Sequence, residues 1–369
     1  MKINPFYYGG AVEKEHFCNR VDEIKELKND IASGLNVLIY APRRFGKTSF
    51  VLKTLHDLKT EKVKYVFLDL MYLSTQEEFI NKYFNVLAKS LEEPTDKVIN
   101  FFKSVVKIRP NINVNFDSTG SPSFSLALNA EDKTKALEDV LNIPLHYTKE
   151  GEKIVIVLDE FQEVVNLDLE AKLRSIIQMH SNKISYIFMG SKKSLLHQMF
   201  LDKSRPFYKS VKHFKIQEIQ YNSWSEFITA KFVKTNKQIE NIYINKILKI
   251  TKGFPYYTQQ FAYEMWHLTD EYVTDDIFTQ TLKTIIAREE DLFALEWDNI
   301  TANQKKALKI ILHKSGQNLY DEQYLALYHI KSGSIQTALK GLMQKDIIDK
   351  TVNGYYFQDP LFEFWIKER

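Results

Sequence analysis

The sequence predicts an α/β fold: a doubly wound parallel sheet with an inserted β-hairpin, then an α-helical lid, then a winged-helix domain. Three observations predict it. Short β-branched and aromatic runs alternate with helical patterns up to about residue 220, strand signals stop beyond it, and residues 297–369 return to helices followed by two short strands.

The strand candidates are "NVLIYAP" (36–42), "KYVFLDL" (64–70), "KIVIVLDE" (153–160) and "ISYIFMGS" (184–191). Each is apolar on both faces, as strands in the middle of a helix-covered parallel sheet must be. Helical patterns stand between them in "GKTSFVLKTLHDLK", "TQEEFINKYFNVLAKSLE" and "DLEAKLRSIIQMHS", and a fifth strand is expected near "VKHFKIQEI". The alternation in "NINVNFDSTGSPSFSLAL" (111–128), broken by the turn-forming "DSTGSP", predicts a β-hairpin inserted in the sheet domain. Two roles fit it: an edge hairpin covering part of the core, or a contact with another subunit or partner.

Past residue 220, "SWSEFITAKFVK", "ENIYINKILKITKG", "PYYTQQFAYEMWHL" and "DIFTQTLKTIIAREEDLFALEW" predict four helices. The terminal block reads as three helices and two strands joined at "VNGY", the order of a winged helix-turn-helix. Domain boundaries follow at 1–220, 221–296 and 297–369.

Composition narrows the function classes. The 369 residues are 44% hydrophobic and 26% charged, ordinary for a folded soluble protein. With 50 basic against 47 acidic residues, the total charge implies no strong pull towards nucleic acid or an anionic membrane. The single cysteine, Cys18, excludes an internal disulfide framework and a cysteine-based zinc site, and fits a reducing cytoplasm. The nine histidines lack metal-ligand spacing, so no structural metal is expected. Neither a signal peptide nor a membrane span is apparent.

"APRRFGKTS" (41–49) directly follows the first strand and matches GxxxxGK[ST] except at its first position, Ala41. Such a loop works because backbone N–H groups at a helix start converge on phosphate oxygens. Pro42 biases Ala41 towards extended geometry, where alanine serves as well as glycine. The candidate nucleotide contacts are Pro42, Arg43, Arg44, Phe45, Gly46, Lys47, Thr48 and Ser49. Lys47 is expected to reach the β- and γ-phosphates and Thr48 to bind Mg²⁺, making ATP and Mg²⁺ the expected ligands. The fold class is therefore a P-loop NTPase sheet.

"IVIVLDEFQEV" ends a buried strand on two acids. Asp159 is placed to hold the Mg²⁺ shell, partly through water, and Glu160 to orient and deprotonate an attacking water. Ser191, ending "ISYIFMGS", is either a contact for the γ-phosphate or its attacking water, or a cap for the next helix. Arg205, in "DKSRPFY", is either a cation for charge developing in the transition state or a surface arginine.

Together, "FCNRVDEIKEL", "APRRFGKTS", "IVIVLDEFQEV", "FMGSKKSLLHQMF", "SRPFY", "TKGFPYYTQQ" and "YYFQDPLFEFW" resemble the archaeal-type AAA+ ATPases of the STAND class. The resemblance spans nearly the whole chain and rests on the order and spacing of these motifs. It implies a central phosphate-loop strand, a helical lid and a winged helix, with Arg20 and the Gly253–Pro255 turn flanking the adenine. Some relatives carry a Gly-Arg pair after the "PFY" equivalent; here Lys209 and Ser210 follow Tyr208, so an arginine role falls to Arg205 or is absent.

The expected function is an ATP-driven molecular switch coupling nucleotide state to the winged helix. The alternative is a DNA-binding regulator with a slow or structural nucleotide site, whose recognition helix, about Ser334 to Gln344, presents Gln336, Thr337, Lys340 and Gln344. A small-molecule kinase fits less well, because the Asp-Glu strand and the long extensions suit hydrolysis and mechanical coupling. The expected partner is a protein client or DNA through the winged helix, and the oligomeric state stays open, a homo-oligomer included.

Overall fold

The computed structural model describes residues 3–12, 14–58, 63–90, 95–105, 111–127, 133–147, 152–180, 183–191, 193–351 and 353–369. The chain divides into two compact units. One comprises Arg20–Ala41 and Lys47–Gln217. The other comprises the chain up to Asn19, Pro42–Gly46 and Glu218–Arg369.

The first unit is built on a five-stranded sheet of β1 (Val37–Tyr40), β2 (Val63–Asp69), β5 (Lys153–Asp159), β6 (Ile184–Gly190) and β7 (Lys212–Lys215), in the order β2-β5-β6-β1-β7. All its pairings are parallel. Every residue of β6 is buried, as are all but the end residues of β5, which explains their uninterrupted apolar runs. The phosphate-loop strand β1 is interior, between β6 and β7, but stands one place from the edge rather than at the centre. Register sets the carboxyl ends level: Tyr40 pairs with Gly190, and Asp69 with Asp159. Loops leaving β1, β5 and β6 therefore emerge together, which is where ligands bind in open α/β sheets.

Helices α1 (Val21–Ala32), α2 (Lys47–Leu58), α3 (Gln76–Ser90), α4 (Thr95–Val105), α5 (Lys133–Tyr147), α6 (Glu170–His180) and α7 (Lys193–Leu201) complete this unit. The sequence reading has no counterpart for α4 or α5. Pro144 lies inside α5, and a proline there argues against a helix locally; burial of Ala136, Leu137, Val140 and Leu141 outweighs it. The hairpin forms from β3 (Asn111–Phe116) and β4 (Pro122–Ala127), residue 128 lying outside the described residues. Two asparagines of α3 serve β4 as a neighbouring strand would: Asn85 Oδ1 accepts from the Phe124 N–H at 2.9 Å, and Asn81 Oδ1 from the Leu126 N–H at 2.7 Å. Phe124 and Leu126 join the core, so the hairpin covers part of it, the first of its two expected roles.

The second unit holds α8 (Tyr221–Lys234), α9 (Asn241–Thr251), α10 (Pro255–Leu268) and α11 (Asp275–Asp298), then α12 (Ala302–Lys314), α13 (Glu322–Leu327), α14 (Ser332–Gln344), β8 (Ile348–Thr351), β9 (Gly354–Phe357) and α15 (Pro360–Glu368). A capping box of Thr301 and Gln304 starts α12. Gly316, at φ 78°, lets the chain after α12 cross the wing: Tyr355 N–H donates to its carbonyl at 2.9 Å, and a Cβ on it would lie 1.8 Å from the Tyr355 oxygen. The sequence reading also lacks α15, whose start follows a recognisable rule, with Asp359 as N-cap and Pro360 in the first turn. Near the amino terminus, Asn4 donates to the Tyr263 carbonyl at 3.0 Å and Lys231 to that of Pro5 at 2.6 Å. Among the described residues, no helix is long and apolar enough to cross a membrane.

Candidate functional site

The loop after β1 turns into α2 through two left-handed residues, Arg44 at φ 63° and Gly46 at φ 85°. Gly46 takes that conformation without cost; Arg44 pays strain that its side-chain contacts must offset. Lys47 is 8% exposed and its ammonium donates to the Ala41 carbonyl at 3.2 Å, so the cation lies folded inside the loop's own curve. Ser49 is buried in the first turn of α2.

At the end of β5, the Asp159 carboxylate accepts from the Thr48 hydroxyl at 3.4 Å and from the Glu160 N–H at 2.9 Å. Burial raises its pKa to about 6, with Glu160 and Asp69 adding to the rise against the Glu160 N–H and Lys47. A half-buried carboxylate among acids, touching a hydroxyl, is a hard-oxygen donor set suited to a small divalent cation. Thr48 and Asp159 fit Mg²⁺ on these grounds.

Glu160 itself is left-handed, φ 50°, an uncommon conformation for a non-glycine residue. Its Oε2 accepts from the Ser191 hydroxyl at 3.1 Å, from the Ser191 N–H at 3.4 Å and from Gln162 Nε2 at 2.5 Å. The structure thus brings Ser191 to Glu160, through the β5-β6 pairing that aligns their strands. Arg205 is engaged elsewhere: Nε donates to Glu170 Oε1 at 3.2 Å and Nη2 pairs with Oε2 of the same side chain, at the first turn of α6. Arg20, 4% exposed, donates to Glu23 at 2.9 Å and to the Gln217 carbonyl at 2.6 Å, a brace between α1 and the chain leaving β7.

The middle of the loop belongs to the second unit. Arg44 Nη1 donates to the Tyr257 hydroxyl at 2.6 Å and to Asp359 Oδ2 at 3.3 Å, while its guanidinium carbon lies 4.8 Å from the Tyr256 ring centre. Its own carbonyl accepts from the Tyr256 N–H at 3.4 Å. Burial opposes the charge on Arg44, but Tyr257 and Asp359 outweigh it and its pKa is raised. Phe45 meets Phe254 edge-on at 5.1 Å, Arg43 stands 3.9 Å from Asp346, and Pro255 lies beside Gly46. Gly253–Pro255, expected beside a base, therefore packs on the loop.

Sequence reasoning missed Asp69, Gln162, Tyr257 and Asp359. Asp69 and Gln162 carry local signals, an acid ending an apolar strand and an amide two residues after the glutamate. Nothing local marks Tyr257 and Asp359 as partners of Arg44, from which they stand 213 and 315 residues away.

A family model described as an ATPase domain predominantly from Archaea matches residues 17–261, and one described as a probable winged helix domain matches residues 291–368. An uncharacterized ATP-binding protein of Methanocaldococcus jannaschii is 28% identical over 180 residues, 42% of this chain and 45% of its own. The chain spans about half the length of the curated relatives it matches. Among solved structures, a Walker-type ATPase of Pyrococcus abyssi aligns with TM-score 0.63 at 17% identity, over 96% of this chain and 97% of its own. The ORC1 protein of Aeropyrum pernix, solved in complex with DNA, aligns with TM-score 0.51 at 12% identity, over 96% and 94%. These structural likenesses show the fold.

Proposed function

From the premise that the chain belongs to the ATPase-domain family found predominantly in Archaea, we propose that it is a switch of the STAND class in which the phosphate loop itself passes nucleotide state to the winged helix. The observation that carries this reading is Arg44. One side chain of the loop is held by Tyr257 at the start of α10 and by Asp359, the carboxylate that caps α15. A loop that moves on binding phosphate must move or release that arginine, and the cap of α15 with it.

In this reading Lys47 leaves the Ala41 carbonyl to meet the β- and γ-phosphates. Thr48 and Asp159 would hold Mg²⁺, which would neutralise charge on the phosphates. Glu160 takes a proton from the attacking water, and Ser191 orients Glu160. Arg205 would leave Glu170 to meet charge developing on the γ-phosphate, within the subunit or from a second copy. ATP shifts the switch only by its difference in affinity for the two states.

The test is a double-mutant cycle on Arg44→Ala and Asp359→Asn, the latter keeping an acceptor for the α15 cap. Each variant should change ATP affinity by about three- to tenfold, and the two effects should not add. Additive effects would remove the coupling. In parallel, Glu160→Gln should retain ATP without turnover, and Lys47→Ala should lose ATP; normal hydrolysis in both would remove the site assignment.

A second reading, a DNA-binding regulator, draws support from the exposed face of α14, where Gln336, Thr337 and Lys340 are open to solvent. The complex of the ORC1 protein with DNA shows the use to which one protein of this fold puts itself.

A further inference from the structure

We propose that Gln162 is a positioning residue for hydrolysis: it fixes one oxygen of Glu160 so that the other faces the attacking water. The inference rests on the reading of Glu160 as the base. All the hydrogen bonds described for this carboxylate converge on Oε2: from Ser191 Oγ, from the Ser191 N–H and, shortest at 2.5 Å, from Gln162 Nε2. Oε1 is left to accept a proton. In the step this serves, the water oxygen bonds to the γ-phosphorus as its proton passes to Oε1, and the bond to the β-γ bridging oxygen breaks with its electron pair leaving on ADP.

Three features argue that Gln162 does more than fill space. It is 3% exposed, yet its Oε1 has no hydrogen-bond partner among the described residues. A buried amide that leaves its acceptor unsatisfied is held there at a cost that an apolar side chain would avoid. Gly190 makes room for it: a Cβ at that position would lie 2.3 Å from Gln162 Oε1. Glu160, in its left-handed conformation, is the residue whose aim needs fixing, since its backbone has no regular element to hold it before the 3₁₀ turn Phe161–Val165.

The experiment compares Gln162→Met with wild type in turnover, ATP affinity and thermal midpoint. Methionine keeps the volume and removes the donor. The expected result is kcat lowered about tenfold or more with ATP affinity within about twofold, and Gln162→Ala no better. Wild-type kcat in Gln162→Met would show a packing role and overturn the proposal, as would parallel loss of kcat and ATP affinity. Gly190→Ala should lower kcat in the wild-type background and add nothing in Gln162→Ala; an unaffected Gly190→Ala would also overturn it. Glu160→Gln separates the two levels: if it hydrolyses ATP normally, the base assignment fails first; if it is inactive while Gln162→Met is normal, only this inference fails.

Discussion

The Thr48 hydroxyl donates to the Asp159 carboxylate across 3.4 Å, joining the first turn of α2 to the end of β5. The contact is weak for a hydrogen bond, and its acceptor is a half-buried acid near two others, Glu160 and Asp69. Ionising Asp159 brings its charge beside those of Glu160 and Asp69, which sets the first prediction.

Asp159→Asn should stabilise the nucleotide-free protein. Burial raises the Asp159 pKa from 3.8 to about 6, so the folded state holds the proton more tightly than the unfolded chain. The ionised group therefore opposes folding above pH 6, and that opposition fades as pH falls from 6 towards 3.8. The gain at pH 7.5 should be on the order of 1–2 kcal/mol, a rise of a few degrees in melting temperature, and should shrink at pH 5. The same variant should lose the Mg²⁺ dependence of ATP binding. A destabilised Asp159→Asn at pH 7.5 would mean that the acid cluster is satisfied as it stands.

If Arg205 serves only the transition state, Arg205→Ala should lower turnover about a hundredfold while leaving ATP affinity within about twofold. Mixed with inactive Lys47→Ala, it should regain activity only if one copy supplies the arginine to another. Glu170→Gln, which frees Arg205 from its present partner, should not reduce turnover. A wild-type rate in Arg205→Ala would leave the Glu170 ion pair as its whole role.

If α14 docks on duplex DNA, affinity should fall steeply with salt, and Lys340→Ala should reduce the slope of log K against log salt by about one. Fluorescence anisotropy with labelled duplex at two salt concentrations measures it. No binding at low salt, with and without ATP, would leave a protein client as the partner.

Gly316→Ala should destabilise the winged helix by several kcal/mol, since the new methyl would meet the Tyr355 carbonyl and the residue would keep a positive φ. Protease digestion should then cut within 297–369 faster than in wild type. Equal resistance would mean that the α12–α13 connection shifts freely.

The sheet was legible because β5 and β6 are buried along nearly their whole length, so burial leaves its mark on every residue. The polar strand ends of the candidate site stand out for a related reason: Asp159, Glu160 and Ser191 are polar breaks at the ends of apolar runs. Helix α5 was hidden because Pro144 contradicts locally what packing enforces. Their place in the motif predicts Arg43 and Arg44 as phosphate contacts. Their side chains point to Asp346, Tyr257 and Asp359, which only the folded chain brings near.

If the contacts of Arg44 with the cap of α15 and the ring of Tyr256 couple them as proposed, the loop and the winged helix share a single equilibrium rather than a relay of them. Linkage then runs in both directions. Whatever factor ATP imposes on the affinity of the winged helix for its partner, the partner must impose on the affinity for ATP. On that reading a partner would also be a nucleotide-exchange or nucleotide-retention factor, and its presence in a cell extract would be readable as a change in the dissociation rate of a labelled nucleotide, before its identity is known.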